Sequence, residues 1–321
     1  MNTTSFSTKS ATHPPGQKNS FFYRLLLDYT RHKTVYVMAL PCILYFAVYH
    51  YWPMYGALIA FKDFHPRLGI LGSPWVGLKY FWQFFESAYF IRTLKNTLVL
   101  NLYNIIFGFP APIILALLMN ELRSVTFKRT VQTITYLPHF ISTVVICGMI
   151  TDFSSMNGLF NTIASLFGIK PSSLLMNPSF FRPMYVASDI WQEVGWGSIV
   201  YLAALTSIDA ELYEAARIDG AGRFRQMLNI TLPGIVPTIV IMLILRMGRI
   251  MSVGFEKVML LYNPATYEVA DVISTFVYRK GIVEANYSYS AAVGFFNSVV
   301  NLIMINVTNF ISRKTTENSL W

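Results

Sequence analysis

Six apolar runs, each close to the length that crosses a bilayer, limit what this chain can fold into. They fall at residues 35–61, 93–119, 131–152, 184–206, 234–253 and 289–311. A helix needs about 20 residues to cross a hydrocarbon layer about 30 Å thick, and each run supplies them. Lipid offers no hydrogen-bond partner to an unpaired amide, so such runs cross as helices. Internal prolines (Pro41, Pro110, Pro112, Pro138, Pro237) do not exclude this, because neighbouring helices can satisfy the freed carbonyls. The expected fold is an all-α integral membrane protein of six transmembrane helices. Residues 35–311 form the membrane domain, 1–34 an N-terminal tail and 312–321 a C-terminal tail.

Composition removes the main rivals. With 54% hydrophobic and 13% charged residues, the chain is too apolar for an ordinary soluble domain. Its formal charge of +9 is scattered among the apolar runs and gathers into no basic face, so no nucleic-acid partner is expected. Cys42 and Cys147 both lie within apolar runs, outside any CxxC spacing, and the five histidines (His13, His32, His50, His65, His139) are dispersed. No G-x-x-x-x-G-K-[S/T] loop and no G-x-S-x-G elbow occurs. No catalytic residue, metal ligand or bound cofactor is therefore assigned.

The N-terminal tail carries Lys9, Lys18, Arg24, Arg31 and Lys33 against Asp28 alone. It reads as a poorly ordered segment, with 21–27 placed to lie on the membrane surface; a removable signal would have its apolar core nearer Met1. The tails and the connections at 120–130 and 207–233 hold thirteen Lys and Arg in about 80 residues, against nine in about 100 residues of the other connections. The richer side faces the cytoplasm. Both termini are expected there, in a multi-pass protein in contact with lipid.

The connection 207–233, SIDAELYEAARIDGAGRFRQMLNITLP, is a polar island between two apolar runs. Asp209, Glu211, Glu214 and Asp219 share it with Arg217, Arg223 and Arg225. Asp209 can N-cap a helix starting at Ala210, and Gly220 can end it in the left-handed region that a Cβ penalises. Ala215 and Ala216 leave a smooth patch for close approach. A second helical segment is expected over 222–229, with Leu232-Pro233 starting the next helix.

Glu214-Ala215-Ala216, then Gly220, nine further residues and Ile230-x-Leu232-Pro233 resemble the EAA loop of permease subunits in binding-protein-dependent ABC importers. The segment Trp75-Val76-Gly77-Leu78-Lys79-Tyr80-Phe81, with Phe90 and Asn96-Thr97, is similar to the region before the second span of sugar-type permeases, except for Lys79 where Asn or Glu is usual. The resemblance implies a type I importer permease that pairs with a second permease subunit, two ATPase subunits and an extracytoplasmic solute-binding protein. ATP and Mg would be used by the ATPase partner. Asp209, Glu211, Leu212, Tyr213, Glu214, Ala215, Ala216, Arg217, Asp219 and Gly220 would form the ATPase-coupling helix and its cap. The cargo implied is a carbohydrate, an oligosaccharide of the alginate type among the candidates. A self-sufficient channel or secondary transporter is the alternative, as is a membrane subunit without a path; no repeat relates 35–152 to 184–311.

Charges at bilayer depth need partners or a wet cavity. Asp189 and Glu193 stand i,i+4 in the fourth run, and Arg246 and Arg249 i,i+3 in the fifth, so two facing ion pairs are expected. These four, with Trp191, Gln192, Trp196 and Asn297, are the candidates for the substrate path; packing salt bridges alone are the competing reading. Ser290, Gly294 and Ser298 form a small-residue face suited to helix contact, and Asn301 is read as interhelical glue or pore lining. Trp82, Phe84, Phe85, Tyr89 and Phe90 are expected to form an aromatic belt at the interface.

Overall fold

The computed structural model describes residues 32–316, so the readings made for the tail before His32, including 21–27, lie outside the described residues. Two compact units divide at Gly56 and Ala57. The first contains α1 (Lys33–Phe46), which tolerates Pro41 and continues through a π turn at Ala47–Tyr51. Aromatic rings pack along it, Tyr45 on Tyr49 and Phe46 on His50, with centroids 5.3 and 5.0 Å apart.

In the second unit the chain forms α2 (Lys79–Phe85), α3 (Ala88–Asn120), α4 (Val125–Phe140), α5 (Thr143–Phe153), α6 (Leu159–Leu166) and α7 (Pro178–Leu205). It goes on through α8 (Ala210–Ile218), α9 (Arg223–Gly234), α10 (Val236–Met247), α11 (Phe255–Leu261), α12 (Ile273–Tyr278) and α13 (Tyr287–Thr316). Among the described residues three helical stretches are long and apolar enough to cross a membrane, Lys33–Phe61, Ala88–Asn120 and Tyr287–Lys314, and five if each of two bent pairs counts as one span.

The expected spans differ from the helices in ways that have local causes. The third run is broken: α4 and α5 meet at 96°. Pro138 lies in a 3-10 turn there, and Ser142 restarts the chain by accepting a hydrogen bond from the Val145 amide. The fourth helix begins at Pro178, six residues before the expected start, because Asn177 caps it through the Ser179 amide. With 28 residues it extends about 42 Å, but Asp189, Gln192 and Glu193 keep it out of the apolar class. The fifth run contains α10, only 12 residues and about 18 Å long, bent 57° from α9. The break falls at Ile235; Leu232-Pro233 ends α9 and does not open α10.

α7 packs chiefly on the second half of α3, with Ile113, Ala116, Tyr201, Leu205 and Ile235 buried between α3, α7 and α10. Gly195 of α7 lies directly on the Thr135 backbone carbonyl of α4, where a Cβ would collide with main chain. A second core gathers Leu100, Ile146, Phe181, Tyr185 and Val258 from α3, α5, α7 and α11. A third joins α2, α12 and α13 around Phe84, Phe276, Tyr289 and Val293. Phe84 is 1% exposed and its ring meets those of Phe90, Phe276 and Phe296, so it is core and not part of an interfacial belt; Trp82 stays exposed. The Tyr80 hydroxyl donates to Asp63 at 2.6 Å, and burial with that carboxylate beside it pushes the phenol up to about 12.

At the end of the bundle opposite α8, Asp271 is completely buried and accepts from Arg279 at 2.7 Å, Arg92 at 3.1 Å and Thr275 at 3.0 Å. Asn96 donates to the carbonyls of Glu268 and Asp271 and accepts from Arg182, and Thr97 accepts from the Ile273 amide. These bonds give Asn96-Thr97 a structural reason. The small-residue face of α13 is only partly used: Ser290 donates to the Val277 carbonyl, whereas Gly294 meets no atom within 4 Å of an added Cβ among the described residues.

Asp271→Asn leaves two guanidinium groups facing a neutral amide and should cost about 3 kcal/mol. Thermal unfolding in detergent should show this as a lowered midpoint, and an unchanged midpoint would contradict the role given to Asp271. Gly195→Ala should lower the yield of monodisperse protein in gel filtration sharply, while Gly294→Ala should not.

Candidate functional site

Two constructions stand out: a cavity between α3, α7 and α10, and the exposed turn built on α8. The cavity encloses about 680 Å³. From α7 it takes Tyr185, Asp189, Glu193, Gly197 and Tyr201, spaced by four so that they fall on one stripe of the helix. From α3 it takes Asn101, Asn104 and Gly108, and from α10 and the residues after it Arg246, Arg249, Ser252 and Gly254. The π turn at Asn104–Gly108 opens α3 at the cavity wall, and the buried Asn104 Oδ1 has no hydrogen-bond partner among the described residues.

Of the eight path candidates, Asp189, Glu193, Trp196, Arg246 and Arg249 meet at this cavity. Gln192 instead donates to the Ile141 carbonyl at 3.4 Å, and Trp191 points elsewhere, half-exposed. Asn297, on α13, does not line the cavity; Asn301 one turn on accepts from the Met251 amide and donates to Ser252.

The expected ion pairs do not form. Asp189 pairs with Lys257 at 3.3 Å, and Glu193 meets His139 Nδ1 at 2.9 Å. The His139 ring lies flat against Trp196, with centroids 4.5 Å apart and 3° between planes. Lys257 is 4% exposed on α11, which packs on α5, so its ammonium reaches Asp189 from beneath the cavity wall. Arg246 and Arg249 have no carboxylate within 4 Å among the described residues. Lys257 and His139 escaped sequence reasoning because their partners lie 68 and 54 residues away. The one local hint was a lysine next to the apolar Val258–Leu261 stretch.

The second construction follows the polar island closely. Asp209 Oδ1 accepts from the Glu211 amide at 2.9 Å, starting α8. At the other end Gly220 has φ +75°, its amide donates to the Arg217 carbonyl, and the Ala221 amide donates to the Ala216 carbonyl. That pair of bonds is the Schellman termination, which requires the left-handed residue. Tyr213 ties α8 to α9 through a 3.0 Å hydrogen bond with Thr231. No side chain of α8 is buried. Leu212 and Ile218 are 53% and 87% exposed, and Glu211, Glu214, Ala215, Arg217 and Asp219 are open too, while Ala216 is half-buried.

Long apolar helices joined by one exposed, doubly capped polar helix mark a membrane-spanning protein. Residues 108–317 match the family of binding-protein-dependent transport system inner membrane components, and the chain belongs to it. It is 46% identical over 299 residues to the polygalacturonan/rhamnogalacturonan transport system permease protein YteP of Bacillus subtilis, covering 93% of each chain. It is 47% identical over 292 residues to LplB of the same organism, covering 91% of this chain and 92% of the other. A chain in the crystal structure of a bacterial alginate ABC transporter, complexed with an alginate pentasaccharide-bound periplasmic protein, superposes with a TM-score of 0.86 at 45% identity, covering 92% of this chain and all of that one.

Replacing Asp189 by Asn leaves the Lys257 ammonium buried without a counter-charge, and the thermal midpoint should fall. Adding Lys257→Met should recover most of that loss. If the double variant is as unstable as the single one, Asp189 does not act through Lys257.

Proposed function

We propose that this chain is the permease subunit of an ATP-driven importer for an oligosaccharide, acidic oligomers of the alginate kind among its candidates. It forms half of the translocation path with a second permease subunit. Two ABC ATPase subunits bind on the cytoplasmic side, where both termini and α8 lie, and an extracytoplasmic binding protein delivers cargo to the other face. ATP and Mg act in the ATPase subunits, and the permease makes no covalent bond to cargo.

The observation that carries this reading is α8. A nine-residue helix held by a cap at each end, with Leu212 and Ile218 exposed, is stable as a lever yet unfinished as a surface. Exposed apolar side chains beside Glu211, Glu214 and Arg217 suit a protein groove better than water or lipid. Tyr213 and Thr231 join the lever to α9, and α9 leads through the bend at Ile235 into α10, which carries Arg246 at the cavity. A displacement of α8 by the ATPase can therefore reach the cavity through two short elements. Transport requires that ATP favour one arrangement of the bundle and its hydrolysis the other, since a ligand shifts an equilibrium only by its differential affinity.

Gly220→Val forces a β-branched residue to φ +75°, and Glu214→Lys puts a cation where the docking face has a carboxylate. Each should abolish uptake by the complete complex, while the variant subunit still inserts and purifies at the normal size. Normal uptake in either variant contradicts the role of α8.

A further inference from the structure

The charges around the cavity do not cancel, and the imbalance has a sign. Asp189 is answered by buried Lys257, and Glu193 holds His139 at 2.9 Å. Arg246 and Arg249 line the same space with neither an ion pair nor a side-chain hydrogen bond among the described residues. A guanidinium stays protonated in any protein environment, so these two charges cannot be relieved by losing a proton. Held at bilayer depth, they are costly unless a wet cavity and an anion take turns to satisfy them.

Resting on the permease reading above, we infer that Arg246 and Arg249 select cargo by binding its carboxylates, so that the oligosaccharide is a uronate. Arg246 lies in the last turn of α10 and Arg249 in the turn that follows, its amide donating to the Arg246 carbonyl at 3.0 Å. The two guanidinium groups therefore start one turn apart on the same cavity wall and can offer paired N–H donors to a planar carboxylate. The neutral parts of a sugar find complementary groups nearby. Asn104 lines the cavity, and its buried Oδ1 has no hydrogen-bond partner among the described residues. Trp196 offers a half-exposed indole whose orientation is fixed by the stacked His139 ring. Asp189 and Glu193, already engaged, keep the site from holding the anion too tightly for release.

The test uses the complete importer in proteoliposomes with its own binding protein. Uptake is compared for an oligogalacturonate and for the same oligomer with its carboxyls methyl-esterified. The free acid should be carried about tenfold faster or more, the value of one hydrogen bond to a charged group. The Arg246→Gln/Arg249→Gln double variant, offered the same loaded binding protein, should carry the acid no faster than the wild-type complex carries the ester. Arg246→Lys/Arg249→Lys should keep part of the preference. Equal rates for acid and ester in the wild type, or an undiminished rate for the acid in the Gln double variant, would overturn the assignment. The wild-type comparison does not depend on any variant folding. Stimulation of the complex's ATPase by neutral oligosaccharides only would remove the charge assignment and leave the permease reading standing. A complex whose ATPase responds to no oligosaccharide would remove the oligosaccharide-importer reading on which the inference rests.

Discussion

A carboxylate withdrawn wholly from water is tolerable only where cations and donors replace its hydration, and Asp271 is such a group. Its oxygens are held by Arg92 from α3, Arg279 beyond α12, and Thr275. Asn96, bonded to the backbone of residues 268 and 271 and to Arg182 of α7, extends the same network to a third element. The far end of the bundle is thereby fastened by directional bonds in a place where apolar packing alone would let helices slide. Removing any one member strands another, so the network specifies one arrangement more than it adds net stability.

That fastening makes the cavity beneath it meaningful. The α7 stripe from Tyr185 to Tyr201 faces α3 and α10 only if the helices keep their rotation, and the close approach of Gly195 to Thr135 fixes rotation on the opposite side. Charges within the bundle then sort into two kinds. Asp189 with Lys257 and Glu193 with His139 are satisfied by the chain itself, whereas Arg246 and Arg249 are left to the cavity. Breaks in regular helix accompany this arrangement. The π turn at Asn104–Gly108 and the bend at Ile235 lie where cavity and lever need them, and neither could exist against lipid without neighbours to satisfy the freed carbonyls.

The helical class and the island that became α8 were legible because both are local. Apolar runs mark helices wherever they pack, and Asp209 and Gly220 act within one turn of their own positions. Where the spans bend was not legible: Pro138 and Pro237 look alike in sequence, yet the sharp break comes beside Pro138 with Ser142 restarting the chain, while in the fifth run the bend sits at Ile235. Ion-pair partners were misassigned for a related reason. Spacing showed that Asp189 and Glu193 share a face with each other, but not that a lysine from α11 would reach Asp189 first. Phe84 looked like a belt residue by composition, and only the meeting of α2, α12 and α13 makes it core.

The central claim is that α8 receives force from an ATP-hydrolysing neighbour. The most direct measurement places a photoreactive residue at Leu212, on the open face of α8, and irradiates the complex in native membranes. The account predicts covalent transfer to the ATPase subunit, with a yield that changes between nucleotide-free and ATP-bound states. Transfer only to lipid, or to a protein on the extracytoplasmic side, would contradict it.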